Sequence, residues 1–291
     1  MRVLVVGGTG VLGRPTVSLL RARGHNPVVL ARHGARASVL LGPDVEVVEG
    51  DILDAGACQR AAVGCEAVLH LATAILRGPD PDRSLNDRIR TDGTANLLAA
   101  AGLVGARRYV QQSVIFLYRS SLEAWLDEES PLEPGAHLRS AAVMEEMVRG
   151  CRELEWTILR GGAFYGTGTG TTEQLLRDVQ AGTVAVRPGL DWYVSLIHAR
   201  DMAAAVVVAF EKAPARTIYN VVDDCPVLHG ELLRYLARLV GGPTPPIVPE
   251  STSTSPRSLR VSNARIREAL GWQPVFPTYR EGYRAILNAE G

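Results

Sequence analysis

Met1-Arg2-Val3-Leu4-Val5-Val6-Gly7-Gly8-Thr9-Gly10-Val11-Leu12-Gly13 opens the chain, and the reading of this stretch decides the fold. Val3–Val6 is an apolar run closed by glycine, the pattern of a strand buried on both faces. Apolar residues then recur at helical spacing from Val11 to Arg23. Between the two segments stand Gly8-x-Gly10-x-x-Gly13 and, in a second register, Gly7-x-x-Gly10-x-x-Gly13. Glycine is needed at such a junction because the turn is tight, a pyrophosphate must approach the backbone, and the helix must pack closely on the strand. The free amides and positive dipole end of the helix would then meet the phosphates. The glycine pattern alone is weak, but its place between a first strand and a first helix reads as a dinucleotide loop. Its contacts would come from Gly7, Thr9, Gly10, Val11, Leu12 and Gly13.

Further strands are predicted at Pro27–Ala31, Val45–Glu49, Ala67–Leu71, Tyr109–Gln112 and Trp156–Arg160. Helices are predicted at Asp54–Ala62, Ser84–Gly102 and Ala136–Cys151. This alternation implies an α/β fold with a doubly wound parallel sheet. After Arg160 the rhythm breaks at a glycine/threonine loop from Gly161 to Gly170. Shorter helices at Thr172–Ala181, Met202–Glu211 and Leu228–Val240 follow, with a strand at Thr217–Val221 and a Pro/Ser/Thr surface loop from Gly241 to Pro256. We divide the chain into a nucleotide-binding domain, residues 1–165, and a smaller α/β substrate lobe, residues 166–291, with a recrossing near 196–211.

The second predicted strand ends on Arg32, with Arg36 four residues later and no acidic residue close by in sequence. An acid there would take the ribose hydroxyls of NAD, whereas a guanidinium suits a 2′-phosphate. The arginines therefore point to NADP(H) over NAD(H), the alternative being solvated loop charges. Lysine plus arginine total 31 and aspartate plus glutamate total 31, leaving no net field to recruit nucleic acid or an anionic membrane. The first residues read as a strand and not as a signal peptide, and no apolar run has membrane-spanning length, so a cytoplasmic protein is expected. Cys58, Cys65, Cys151 and Cys225 are scattered without zinc-ligand spacing, and no metal is expected.

With these segments placed, the chain resembles the extended short-chain dehydrogenase/reductases, the NAD-dependent epimerase/dehydratase family, over nearly its whole length. Gly50-Asp51-Ile52-Leu53-Asp54 is similar to the adenine-side segment, and Val68-Leu69-His70-Leu71-Ala72-Thr73-Ala74 to the fourth strand that runs along the cofactor. Asp92-Gly93-Thr94-Ala95-Asn96-Leu97-Leu98 is similar to the helix after it, and Arg160–Gly166 to the loop that meets the nicotinamide. Leu196–Ala203 and Leu270–Pro274 resemble downstream signatures. The resemblance implies a Rossmann-type fold and adds Asp51, Ile52, Leu71, Ala72, Thr73, Ser113, Gly162 and Ala163 as cofactor contacts.

The departures bear on chemistry. The family's proton relay is a Tyr-x-x-x-Lys pair, in which the lysine lowers the phenol's pKa. Aligned through Arg139–Val148, this chain carries His137 for the tyrosine and Ala141 for the lysine. Val114 falls at the family's catalytic Ser/Thr, unless a shift of one residue returns Ser113 to that role. Arg90 replaces an asparagine before the Gly-Thr pair. His137 is the first candidate proton donor, open against a helix-start role, and Tyr118 the second, open against packing. Asp127, Glu128 and Glu129 read as a solvated loop, and His198 as structural. Trp192 and Tyr193 would line a substrate pocket or pack in the core.

The leading expectation is an NADP(H)-dependent oxidoreductase reducing a carbonyl or conjugated alkene of a small molecule with nonstandard proton donors. The rivals are a non-redox isomerase, epimerase or cyclase, and a non-catalytic dinucleotide sensor. A homodimer is expected from the resemblance and from small residues on two long helices (Ala95, Ala99, Ala100 and Ala101; Ala141 and Ala142), which equally suit packing inside one chain.

Overall fold

The computed structural model describes residues 1–74, 83–186, 192–248 and 257–290. Seven parallel strands form the sheet: β1 (Arg2–Val6), β2 (Asn26–Ala31), β3 (Glu46–Glu49), β4 (Ala67–His70), β5 (Arg108–Val114), β7 (Glu155–Gly161) and β11 (Thr217–Val221). Their order is β11-β7-β5-β4-β1-β2-β3, so the chain reverses direction of winding between β1 and β4. In register, Val5 lies between Val29 of β2 and Leu69 of β4.

Each inner strand buries both of its faces, which is why the sequence shows unbroken apolar runs. Val3, Val5, Val29 and Leu69 join one core with Val17 and Leu20 of α1 (Gly13–Ala22) and with Met202, Val206 and Phe210 of α8 (Ala199–Lys212). Leu4, Val6, Val28, Leu30 and Val68 join the opposite core. That core takes Ala57, Cys58 and Ala61 from α3 (Ala55–Ala62), Leu97 and Ala100 from α5 (Thr94–Leu103), and Val148 from α6 (Arg139–Gly150).

The helix predicted as Ser84–Gly102 is interrupted: α4 (Ser84–Arg88) passes through a π turn, Ile89–Gly93, into α5. The helix predicted from Ala136 begins with a 3-10 turn, Ala136–Leu138, before α6. A short α2 (Gly34–Leu41) that no prediction contained follows β2. Of the alanines cited for close helix approach, Ala100, Ala101 and Ala141 are buried, while Ala95 and Ala99 face outward.

After β7 the chain makes β8 (Ala163–Tyr165) and α7 (Thr171–Gln180) and returns through β10 (Leu196–His198), which pairs in parallel with β8. Helix α8 then packs on α1, and β11 adds the outer strand beside β7, so the return extends beyond residue 211. The second lobe has a separate core, built from α7, α9 (His229–Val240) and α11 (Tyr279–Glu290), with Leu176, Leu236 and Tyr283 among its buried residues. β9 (Tyr193–Val194) pairs antiparallel with β12 (Val227–Leu228). β6 (Trp125–Leu126) pairs with β13 (Arg260–Val261), and α10 (Ala264–Leu270) follows. Residues 249–256 of the predicted Pro/Ser/Thr loop lie outside the described residues.

Candidate cofactor cleft

A cleft of about 800 Å³ opens along the C-terminal ends of the central strands and is closed on its far side by the second lobe. This is the edge where doubly wound sheets hold ligands. Gly7, Thr9, Gly10, Val11, Leu12 and Gly13 all border it. Gly7 sits at φ +91°, and a Cβ there would lie 2.7 Å from Ala72 N. A Cβ on Gly13 would overlap the carbonyl oxygen of Gly7. The turn is closed by Gly10 N donating to Gly7 O at 3.0 Å. Gly10 has only that oxygen near its absent Cβ, which leaves backbone open to the cleft. Arg14 N donates to Gly10 O at 3.0 Å and Thr16 N to Leu12 O at 3.2 Å, which leaves the Gly13 amide at the start of α1 without a backbone acceptor among the described residues. These residues form a cradle that fits a pyrophosphate.

Arg32, at the end of β2, borders the cleft and is exposed, with no ion pair among the described residues. Arg36 lies on α2, is exposed and is not part of the lining. A carboxylate does stand near the end of β2, supplied by the neighbouring strand: Glu49 Oε2 accepts from Gly34 N at 2.7 Å. Sequence distance hid it, because β3 brings Glu49 alongside Ala31 only through sheet register. Asp51 and Ile52 border the same end, with Asp51 Oδ1 accepting from Leu53 N at 2.9 Å. Leu71, Ala72 and Thr73 line the middle, and Ser113, Gly162 and Ala163 the β5–β7 end.

Ser113 leads to a buried polar chain that sequence reasoning missed. Its hydroxyl donates to Glu145 Oε1 at 2.6 Å. Glu145 pairs with Arg160 at 2.6 Å, the two side chains being 3% and 2% exposed. Burial alone would lower the Arg160 pKa, but the hydrogen bonds and charge of Glu145 overcome it and hold the guanidinium above its ordinary value. Arg160 Nη1 donates to Tyr118 Oη at 2.9 Å, and Tyr118 Oη donates to Asn220 Oδ1 at 2.7 Å. The available signals were an arginine closing an apolar strand and a glutamate one helical turn past Ala141 on its inner face.

Two catalytic candidates do not reach the cleft. Tyr118 is fully buried, its hydroxyl is committed at both ends, and burial pushes its pKa up to about 12. His137 is exposed on the turn before α6 and does not border the cleft. Partial burial, then the charges of Arg83, Arg257 and Arg90, lower its pKa, so the imidazole is neutral near pH 7. Ala141 does line the wall, with a methyl group where the resemblance expects an ammonium.

Trp192 and Tyr193 are also absent from the lining. Strand alternation turns Val194 into the cleft instead of Tyr193, whose ring lies 5.1 Å from the Arg260 guanidinium. Trp192 stacks at 4.1 Å on His229, and His229 forms part of the wall. His198 caps α8, Nδ1 accepting from Arg200 N at 3.2 Å, which starts that helix three residues earlier than predicted. Burial and then Arg200 bring its pKa down to about 4. Glu128 corrects the reading of the acidic cluster as a solvated loop. It is buried, accepts from Asn220 N at 2.7 Å and pairs with Arg265 at 3.3 Å.

Strand order, glycine cradle and cleft together define a Rossmann-type, dinucleotide-binding protein of the short-chain dehydrogenase/reductase kind. The chain belongs to the NAD(P)H-binding family, whose model matches residues 7–213. It is 38% identical to a 3-diazoavenalumate denitrifying reductase from a Streptomyces species, over 97% of this chain and 99% of that one. It is 30% identical to a 3 beta-hydroxysteroid dehydrogenase/Delta 5-->4-isomerase from Mycobacterium tuberculosis, over 98% of this chain and 78% of the relative. Among solved structures, UDP-glucose 4-epimerase from Thermotoga maritima superposes with a TM-score of 0.83 at 20% identity, covering 99% of this chain and 98% of that one. Among the described residues, no helix is long and apolar enough to cross a membrane.

Proposed function

We propose that the chain is an NADPH-preferring reductase of a small organic electrophile whose reduction leaves no oxyanion to protonate. The carrying observation is the glycine cradle opening onto a cleft whose wall bears Ala141, with His137 and Tyr118 outside the lining. Gly7–Gly13 would hold the pyrophosphate, Arg32 the 2′-phosphate, Asp51 and Ile52 the adenosine, and Ser113, Gly162 and Ala163 the nicotinamide side. The bound reduced dinucleotide supplies a hydride. Glu145 and Arg160 keep the Ser113 hydroxyl directed into the wall, so Ser113 itself has no free proton to give to the cleft.

A carbonyl acceptor becomes an alkoxide and needs a proton donor, which the family's relay would supply over a factor of about 10²–10⁴ in rate. A diazo acceptor, taken as the diazonium form and of the kind named for the Streptomyces relative, has no such need. There the C–N bond breaks, a C–H bond forms, and N2 leaves. The hydride brings the two electrons and the one hydrogen, and the diazonium charge is discharged. This chemistry fits a cleft without the tyrosine and lysine, and it favours a diazo compound over the carbonyl or alkene first expected.

The test incubates the chain with 4-deuterated NADPH and 4-hydroxybenzenediazonium, against an enzyme-free control and a parallel assay with cinnamaldehyde. Enzyme-dependent N2 release equal to NADPH consumed, with deuterium on the product carbon, is the expected result. Turnover of cinnamaldehyde alone would return the acceptor to the carbonyl class. His137→Ala is expected to retain kcat within about threefold, well short of the loss of a general acid.

A further inference from the structure

Arg90 is a cation on the cleft wall that makes no ion pair among the described residues, Asp87 acting on it only from beyond contact distance. It borders the cleft together with its neighbour Ile89, because the π turn Ile89–Gly93 widens the helix and turns two consecutive side chains toward the same space. Such turns recur at ligand sites. The lining of the same cleft includes the apolar Leu85, Ile89, Val114, Phe116 and Met144. Arg90 is half-buried, and its side-chain hydrogen bond among the described residues runs from Nη1 to Ser140 Oγ at 3.3 Å. Ser140 gives its own proton to Asp87 Oδ1 at 2.5 Å. No carboxylate lies within ion-pair distance of Arg90 among the described residues.

Among the described residues, most of the guanidinium's five donors thus have no partner in a partly desolvated place, which is unfavourable until an anion arrives. Its surroundings reinforce this. Arg83 and Arg257 act together with Arg90 on His137, while Asp87 is the one carboxylate that acts on Arg90 among the described residues. The location also discriminates between anions. Arg90 follows β4 and contacts α6, whereas the glycine cradle follows β1 and Arg32 ends β2, on the other side of the sheet's switch point.

We propose that Arg90 binds the carboxylate of an apolar organic acid, the substrate of the cleft, in a forked pair with the guanidinium. This rests on reading the cleft as a nicotinamide-dependent reductase site. The apolar wall takes the body of the acid, and Arg90 fixes which end enters.

Calorimetric titration of the NADP+-saturated chain with trans-cinnamate and its neutral isostere trans-cinnamamide tests this. Cinnamate is expected to bind about tenfold tighter or more, the scale of a charge-assisted hydrogen bond. In Arg90→Gln, cinnamate should weaken to the level of the amide while the amide is unchanged, and Arg90→Lys should keep part of the preference. Thermal melts check that both variants fold, and NADP+ affinity should stay within about twofold. Equal wild-type affinity for acid and amide, or binding of neither, overturns the anchor while NADP+ binding leaves the reductase reading standing. Loss of NADP+ affinity in Arg90→Gln would assign the guanidinium to the cofactor. Failure of the wild-type chain to bind NADP+ overturns the reductase reading and the anchor together.

Discussion

Replacing Glu145 by leucine removes the anion from the buried chain behind Ser113, and the structure allows its cost to be worked out. Arg160 is 2% exposed and has Glu145 as its charged partner, through three hydrogen bonds of 2.6 to 3.3 Å. Stripping one member of a buried ion pair leaves an uncompensated charge, at about 3–5 kcal/mol. The Ser113 hydroxyl loses a 2.6 Å bond to a carboxylate in the same step, so the loss belongs at the upper end of that range. Against a whole-protein stability of about 5–15 kcal/mol, Glu145→Leu should be folded but marginal. The double variant Glu145→Leu/Arg160→Met buries no charge and should recover about 2 kcal/mol of that loss, because apolar replacements of buried pairs are often neutral. Urea denaturation read by far-ultraviolet dichroism and tryptophan fluorescence measures both, provided the two probes coincide. A single-variant cost below about 1 kcal/mol would refute the reasoning, on the scale of an ordinary surface pair. So would a double variant no more stable than Glu145→Leu.

Arg32→Ala should lower the NADPH/NADH affinity ratio by about tenfold or more, measured by fluorescence quenching, and an unchanged ratio would remove the arginine from the 2′-phosphate site. Burial pushes the Asp223 carboxyl up from 3.8 to about 8, against the hydrogen bond from Cys225 N, and its Oδ2 has no partner among the described residues. The folded chain therefore holds a proton that the unfolded chain releases. Asp223 favours the fold most below its unfolded pKa, and that contribution falls as pH rises toward about 8. Asp223→Asn should flatten this decline in melts across the window, and an unchanged slope would count against it. Sedimentation at micromolar concentration should find a species of twice the chain mass, with Leu103 and Val143 among the exposed apolar residues of α5 and α6. A monomer alone would remove the homodimer.

Local pattern determined the α/β class, because a strand buried on both faces is apolar at every residue and a helix packed on it repeats at 3.6. Val3–Val6, the glycines from Gly7 to Gly13, and Arg32 at the end of β2 were legible for that reason. They act through backbone geometry within a few residues of themselves. Legible too were His137 and Ala141, the residues that the resemblance aligns with the family's tyrosine and lysine. Tertiary structure decided what depends on residues far apart in sequence. Glu49 reaches Gly34 only across the β2–β3 register, and Glu145 meets Arg160 and Ser113 only once α6 lies on β5 and β7. The same packing withdrew Tyr118 and His137 from the cleft and turned Arg90 into it through a π turn that no periodicity in the sequence announced. Whether a polar side chain is free to act depends on which partners and how much water the fold leaves it, and those are set by distance in space.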